Sequence, residues 1–180
     1  SLFNKNKQHI TDTPKKFLKD ELDLDINEDP NIQISDDLIS KAIKKFQIDK
    51  NELNILMGIG GSGPTKRIPS RIFLEVIDKI LKIKKCKFFL ATGKNSEEQV
   101  ILNEILDTKH RNICVPLDKF SIRETLPIIK NCNLSICNDS SFSHLSAALG
   151  VKTITLMADT PLIYGNYCSN MFPILPDGEA

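Results

Sequence analysis

"LSICNDSSFSHLSAALG", residues 134–150, is the stretch that decides the fold. Residues 134–137 form a mainly apolar run that predicts a buried strand, and residues 143–149 predict a short helix that Gly150 ends. The four polar residues 138–141 therefore form a strand-to-helix turn, where backbone N–H groups and the positive end of the helix dipole collect. Capping needs only one such residue, and this turn has four. The turn is therefore either a helix cap alone or also an anion site.

Strands and helices alternate around this stretch, from residue 53 to residue 157. This alternation predicts an α/β fold, a doubly wound parallel sheet. In such sheets ligands bind at the carboxyl ends of the strands, where the polar turn lies. The predicted strands are 53–59, 87–91, 112–115, 134–137 and 153–157, and the predicted helices include 70–83, 96–106 and 143–149.

Two capping boxes mark helix starts between these strands. One is Ser96-Glu97-Glu98-Gln99, and the other runs from Ser121 to Glu124. Pro127 follows the second box closely, so we expect it either to kink that helix or to delay its start.

Residues 1–52 differ in composition from the rest of the chain, since they are rich in Lys, Asp and Asn and contain no glycine. They predict a short helix over 17–24 and an amphipathic helix over 38–46, with a break at Asp29-Pro30. We therefore expect a helical linker segment over 1–52 and a ligand-binding sheet domain over 53–180.

Composition narrows the classes of partner. The net charge is +1, so the chain lacks the overall positive charge typical of proteins that bind nucleic acid or an anionic membrane. No signal peptide and no apolar run near the length of a membrane helix are visible. The five cysteines are odd in number and form no CxxC pair, which favours free thiols in a reducing cytoplasm.

The glycine-rich stretch "MGIGGSGPTKRIPSR", residues 57–71, partly matches two known phosphate-binding motifs. Its glycines match the dinucleotide pattern G-x-G-x-x-G, which would imply a nicotinamide-dependent oxidoreductase. That alternative is weakened because Pro64 and Pro69 interrupt the helix the pattern requires. The next strand also ends in residues 91–93, Ala-Thr-Gly, where the pattern expects an acid. A P-loop is excluded because Pro64 occupies the lysine position.

What remains is a loop suited to phosphate. Small residues let an anion approach backbone N–H groups, hydroxyls add donors and a lysine adds charge. The alternative is a flexible loop with a solvated lysine. The residues concerned are Gly61, Ser62, Gly63, Thr65, Lys66 and Arg67.

Asp139 of the polar turn and His144 of the following helix need separate interpretation. The Asp139 carboxylate would repel a phosphate, so we expect it to cap the helix or hold sugar hydroxyls. His144 lies about one turn into the helix and is either structural or ligand-facing.

No His/Asp/Glu cluster has the pattern of a metal site. A basic run over 79–87 predicts a solvated helix end, with contact to an anionic membrane as the alternative.

These motifs together resemble the C-terminal, donor-binding half of the family 9 glycosyltransferases, the lipopolysaccharide heptosyltransferases. Residues 66–69, Lys-Arg-Ile-Pro, resemble the family's Lys-x-Trp-Pro, and residues 139–144 resemble its Asp-Ser-Gly-x-x-His. Ile68 stands in place of the usual Trp, and Ser141 in place of the usual Gly. The family's acceptor-binding half, with its catalytic base, and its C-terminal helix have no counterpart here.

The resemblance implies the Rossmann-like half of a GT-B fold with a truncated C-terminal tail. It implies inverting transfer of a heptose from ADP-heptose to a lipopolysaccharide core, without a metal or other cofactor. The glycolipid acceptor would bind through a missing N-terminal domain. The implied location is the cytoplasm, with the inner face of the inner membrane as the narrower option. A non-catalytic nucleotide-sugar binding module is the alternative.

The resemblance also implies roles for individual residues. Lys66 would be catalytic, because it would neutralise the leaving nucleotide. Ser62, Thr65 and Lys66 would hold the diphosphate, and Gly93 and Phe120 would flank the base. The remaining implied donor contacts are Gly61, Gly63, Asn138, Asp139, Ser140, Ser141 and His144.

Overall fold

The computed structural model describes residues 10–176, which form a six-stranded sheet and its covering helices. Short 3-10 turns occur at Pro64–Lys66, Arg111–Ile113 and Leu162–Tyr164. The helices and strands, in chain order, are α1 (Asp12–Leu22), α2 (Asp36–Phe46), β1 (Leu53–Gly58), α3 (Ser70–Leu81), β2 (Cys86–Ala91), α4 (Ser96–Leu106), β3 (Cys114–Pro116), α5 (Ile122–Lys130), β4 (Leu134–Asn138), α6 (Ser141–Ala148), β5 (Thr153–Leu156) and β6 (Met171–Ile174).

All six strands are parallel, in the order β3-β2-β1-β4-β5-β6. The α/β prediction is therefore confirmed. β1 lies at the centre, and its Met57 pairs with Leu90 of β2 and Ile136 of β4. The chain winds outward in one direction through β2 and β3 and in the other through β4 to β6. The crevice between β1 and β4 is thus the switch point, where ligands of such sheets bind.

The central strands are buried on both faces, because each face carries helices. Ile55 and Met57 belong to one apolar cluster, with Phe73 and Ile77 of α3, while Leu56 points to the other face. That second face is covered by α2, α5 and the end of α6. Burial on both sides explains why the strands read as continuous apolar runs.

Two helix starts differ in how well the sequence predicted them. The capping box at Ser121 and Glu124 is confirmed. The box proposed at Ser96 is wrong: Asn95 is the cap, and its Oδ1 accepts the Glu98 N–H at 2.9 Å. The delayed start of α5 is also wrong. Pro127 lies inside this helix, where the missing N–H costs one backbone hydrogen bond.

The other differences between the predicted and the observed elements lie near the two ends of the described chain. α1 begins earlier than predicted and ends at Leu22, because Asp23 adopts a left-handed conformation with φ 54°. β6 was not predicted, and it pairs with β5 through Thr153 and Met171. Boundary shifts are smaller elsewhere: α6 begins at Ser141, and β3 begins at Cys114 after a 3-10 turn.

The thiols and lysines of the sequence analysis also have defined places. All five cysteines are free, as predicted, and four are buried. The basic run is only partly a solvated helix end. Lys85 pairs with Glu52, and the Lys87 ammonium donates to the Phe46 carbonyl at 2.6 Å. Within residues 10–176, the helices are too short and too polar to cross a bilayer.

Candidate functional site

A cavity of about 600 Å³ opens at the carboxyl ends of β1 to β4. Four loops contribute to its wall, one from the end of each of these strands. Six of the residues that the sequence predicted as donor contacts line it: Gly61, Ser62, Gly93, Phe120, Ser140 and Ser141. The rest of the wall comes from Gly60, Thr92, Lys94, Asn95, Glu98, Asp118, Ser121, Ile122 and Phe142.

Glu98 is a wall residue that the sequence did not predict. It is 6% exposed, and its carboxylate accepts the Gly61 N–H at 2.8 Å and a hydrogen bond from the Asn95 amide. The dinucleotide pattern places its acid at the end of β2, but Glu98 reaches this place from the first turn of α4. The available signal was Asn95, a good helix cap three residues before an acid.

Glu98 explains two of the glycines. A Cβ on Gly60 or on Gly93 would collide with the Glu98 carboxylate. By contrast, a Cβ on Gly63 would meet only the Thr65 hydroxyl, at 3.9 Å. Close packing around one buried acid therefore fixes the glycines at two strand ends. We call residues 59–66 the glycine loop.

Asn138 lies beneath the glycine loop and not on the wall of the cavity. Its side chain is fully buried, and its Nδ2 donates to the carbonyls of Ile59 at 2.9 Å and Gly60 at 3.3 Å. Its position supports the loop directly. Asn138 does not line the cavity, so the ligand contact that the resemblance implies for it stays a prediction.

Lys66 and Asp139 meet beside the cavity, and neither of them lines its wall. The ammonium lies 2.8 Å from the carboxylate, and the two side chains are 25% and 5% exposed. Burial alone would raise the pKa of Asp139, but hydrogen bonds from Lys66 and Thr160 outweigh it, so the pKa falls below its usual value. Asp139 is therefore a carboxylate that partly neutralises Lys66, and not a helix cap.

Thr65 and Gly63 lie outside the cavity wall. The Thr65 hydroxyl donates to Asp159 at 3.0 Å, which ties the glycine loop to the segment after β5. Gly63 immediately precedes the 3-10 turn that carries Lys66. The backbone of Lys66 itself packs against Gly61, because a Cβ on Gly61 would lie 2.8 Å from the Lys66 carbonyl oxygen.

The N-terminus of α6 carries no side-chain cap. Its N-cap residue is Ser140, whose backbone is extended, and the Ser140 carbonyl accepts the Ser143 hydroxyl at 2.7 Å. The buried hydroxyls of Ser140 and Thr92 have no hydrogen-bond partner among residues 10–176. Both residues line the cavity. Uncapped amides and two unpartnered hydroxyls thus offer polar groups to a ligand there.

His144 lies in a neighbouring cavity of about 420 Å³, which shares Ser141 and Ile122 with the first. Its Nδ1 is 2.7 Å from the Tyr167 hydroxyl, and the two rings stack at 5.6 Å. Burial lowers the pKa of His144, the nearby Asp139 carboxylate opposes that shift, and the net pKa is below its usual value. His144 is therefore a neutral ring at pH 7, held by Tyr167.

Residues 10–176 contain no group of three or more His, Cys, Asp or Glu side chains that could hold a metal ion. Lys94 lies on the wall of the cavity, and Lys66 lies outside the wall, paired with Asp139. The cavity therefore combines lysine charge and backbone amides with one buried acid and one aromatic ring.

Sequence comparison identifies related proteins. The family model of glycosyltransferase family 9 (heptosyltransferase) matches residues 4–169. Lipopolysaccharide heptosyltransferase 1 of Campylobacter coli is 30% identical over 164 residues, which cover 89% of this chain and 47% of that protein.

Comparison with solved structures supports the same fold. The family 9 glycosyl transferase of Veillonella parvula DSM 2008 superposes with a TM-score of 0.80 at 21% identity, over 98% of this chain and 52% of that one. ADP-heptose lipopolysaccharide heptosyltransferase II of E. coli gives 0.71 at 21% identity, over 86% and 49%. E. coli heptosyltransferase WaaC with ADP gives 0.70 at 16%, over 94% and 51%. The chain thus spans about half the length of these relatives.

Proposed function

Because this chain belongs to glycosyltransferase family 9, we propose that it is the donor-binding half of a glycosyltransferase. Its donor would be a nucleotide-sugar, with ADP-heptose expected, and the acceptor of the whole protein would be a lipopolysaccharide core. The observation that carries the proposal is the pairing of Lys66 with buried Asp139, directly before the uncapped N-terminus of α6.

The diphosphate of the donor is assigned to the side of the cavity between the glycine loop and α6. Lys66 supplies a cation, while Ser62 and Ser140 supply hydroxyl donors beside the α6 amides. Helix N-termini favour anions because their N–H groups are unpaired and the dipole is positive there. Asp139 keeps the ammonium in place until a phosphate approaches, and its carboxylate is then available to a sugar hydroxyl.

The nucleoside is assigned to the opposite side of the cavity. Phe120 offers a ring on which a base can stack. Glu98 offers a carboxylate acceptor of the kind that binds ribose hydroxyls in dinucleotide sites, and the unpartnered Thr92 hydroxyl lies nearby. Gly93 lines the same side of the cavity, and its missing Cβ leaves room for the Glu98 carboxylate.

The chemistry assigned to this chain is electrostatic. As the glycosidic bond to the donor sugar breaks, negative charge grows on the leaving diphosphate. The Lys66 ammonium and the α6 amides stabilise that charge, which lowers the barrier to transfer. The general base and the acceptor site are expected in residues outside this chain. We assign residues 1–52 to the connection with that acceptor half.

The cellular setting is part of the same proposal. We expect the whole protein to act in the cytoplasm, at the inner face of the inner membrane, where it would meet its glycolipid acceptor. A non-catalytic nucleotide-sugar binding module would use the same cavity but would not transfer the sugar.

Thermal stabilisation tests the proposal most directly. ADP and ADP-heptose should raise the melting temperature of the 180-residue chain, whereas UDP-glucose and NAD should raise it less. A ligand present at about 100 times its Kd contributes about 2.7 kcal/mol, which shifts the melting temperature measurably. Lys66→Ala should lose most of this shift, and Lys82→Ala, at an exposed position, should keep it.

The alternatives give different results in the same experiment. Stabilisation by NAD alone would favour an oxidoreductase. Stabilisation by ADP-heptose that is insensitive to Lys66→Ala would place the diphosphate elsewhere. A full-length protein that binds ADP-heptose but does not transfer heptose would be a binding module.

A further inference from the structure

Phe120 separates two cavities. One is the cavity at the strand ends, and the other is a cavity of about 290 Å³ between α2 and α5. Lys45 and Phe46, at the end of α2, line this second cavity together with Phe120. The ring to which the base is assigned is therefore a wall between the two cavities, and α2 lies behind that wall.

Aromatic contacts connect this wall to the sheet. The rings of Phe46 and Phe120 meet edge to face, with centroids 5.3 Å apart and planes at 73°. Phe46 makes a second edge-to-face contact at 6.4 Å with Phe89, which is fully buried in β2. Because edge-to-face pairs have a preferred geometry, Phe46 restricts where the Phe120 ring can lie.

A cation covers the same pair of rings. The Lys45 Nζ lies 4.7 Å from the Phe120 ring centroid and 5.4 Å from that of Phe46. A cation over a ring is attracted by its quadrupole and favours one ring orientation. The end of α2 is itself anchored, since the Lys87 ammonium donates to the carbonyls of Phe46 at 2.6 Å and Gln47 at 3.1 Å.

We propose that Lys45 and Phe46 are positioning residues of the base subsite: they hold the Phe120 ring in the orientation on which a purine stacks. This inference rests on the proposed function, and it concerns residues that do not touch the ligand. It also places part of the predicted linker segment, residues 1–52, in the donor site. Displacement of α2 would then change nucleotide affinity.

The test compares ligands with and without a base. Titration calorimetry would give dissociation constants of the 180-residue chain and its variants for ADP, UDP and inorganic pyrophosphate. Lys45→Met should weaken ADP binding about threefold, because an exposed cation–π contact has a small energy. Phe46→Leu should weaken ADP binding about threefold to tenfold, and UDP binding less, because a pyrimidine stacks over a smaller area. Pyrophosphate should bind equally well to all variants.

Two further variants separate positioning from general destabilisation. Lys45→Arg keeps a cation that can lie over the rings, so it should restore ADP affinity. Lys41→Met is the matched control, because Lys41 lines the same small cavity but is paired with Asp37 at 2.6 Å. It should bind ADP like the wild type.

The outcomes separate this inference from the proposed function. Unchanged ADP affinity in both Lys45→Met and Phe46→Leu would overturn the inference alone. An equal loss of pyrophosphate affinity would also overturn it, since the effect would then be general. If the wild-type chain itself bound no ADP, the proposed function would fail, and the inference with it.

Discussion

The Lys66 ammonium and the Asp139 carboxylate are 2.8 Å apart, and they join the glycine loop after β1 to the turn after β4. These strands flank the switch point of the sheet. The pair therefore spans the crevice where a ligand of this fold is expected. Since Asp139 is 5% exposed, its charge is supported by Lys66 together with Thr160, and Asp139 in turn orients the Lys66 ammonium.

Asp139→Asn tests the contribution of this pair to stability. Because the folded-state pKa of Asp139 is below its usual 3.8, the carboxylate stabilises the fold above that pH. We expect the substitution to lower the free energy of unfolding by about 1–2 kcal/mol at pH 7. As pH falls below 3.8, the difference from wild type should shrink. Urea unfolding between pH 7 and pH 3 measures it.

Asp37→Asn is the control for that experiment. Asp37 pairs with Lys41 at 2.6 Å, but both side chains are about two-thirds exposed or more. Its removal should change stability by less than about 0.5 kcal/mol. A difference for Asp139→Asn that did not vary with pH would contradict the role of its charge.

Glu98→Gln tests the buried acid of the cavity. A glutamine can accept only one of the two hydrogen bonds, so either the Gly61 N–H or the Asn95 amide loses its acceptor. We expect a loss of about 1–3 kcal/mol in the free energy of unfolding and weaker ADP binding. Chemical unfolding and calorimetry measure the two effects.

The matched change is Glu75→Gln. Glu75 is exposed, and its ion pair with Arg71 has a separation of 4.0 Å. Wild-type stability and ADP affinity are expected for this variant. If Glu98→Gln behaved in the same way, Glu98 would have no organising role in the glycine loop.

Gly60→Ala should damage the site, because the added methyl would take the place of the Glu98 carboxylate and displace it from its hydrogen bonds to the Gly61 N–H and the Asn95 amide. Leaving such buried groups without their partners costs about 1–3 kcal/mol. Gly63→Ala, three residues along the same loop, meets only the Thr65 hydroxyl at 3.9 Å and should stay within about 0.5 kcal/mol of wild type. Melting curves of the two variants give the comparison, and equal stability would refute the packing argument.

His144 should titrate below its usual pKa of 6.5, because burial opposes its protonation. The Asp139 carboxylate works against this effect, so Asp139→Asn should lower the pKa of His144 further. The chain has three histidines, and His144→Gln assigns the signal in an NMR pH titration. A midpoint that rises in Asp139→Asn would show that the carboxylate does not act on this ring.

The free energy of unfolding should also depend on the protonation of His144. A histidine that is harder to protonate when folded binds more protons when unfolded, so the fold loses stability as pH falls through 6.5. The loss should be smaller in His144→Gln. Urea unfolding at pH 7.5 and pH 5.5 measures this loss. An equal change in the free energy of unfolding between the two pH values, in wild type and His144→Gln, would contradict the prediction.

The alternating pattern of strands and helices was enough to predict the parallel sheet, because the strands between residues 53 and 157 are buried on both faces and read as apolar runs. β6 escaped prediction. It has four residues and contains Pro173, which normally argues against a strand, and it forms by pairing with β5.

The site was predictable where one local motif supplies a group, and not where distant residues meet. The glycine loop and the α6 turn are local, and Gly61, Ser62, Ser140 and Ser141 do line the cavity. The pairing of Lys66 with Asp139 depends on how β1 and β4 neighbour each other, which no local pattern reveals.

The outer strands also bear on how the protein behaves at high concentration. β3 has only three residues, and β6 carries a proline whose nitrogen cannot donate to an added strand. Short or proline-bearing outer strands are poor templates for a second molecule to extend the sheet. Over residues 10–176, self-association by sheet extension is therefore disfavoured, which suits the concentrated samples that calorimetry and NMR require.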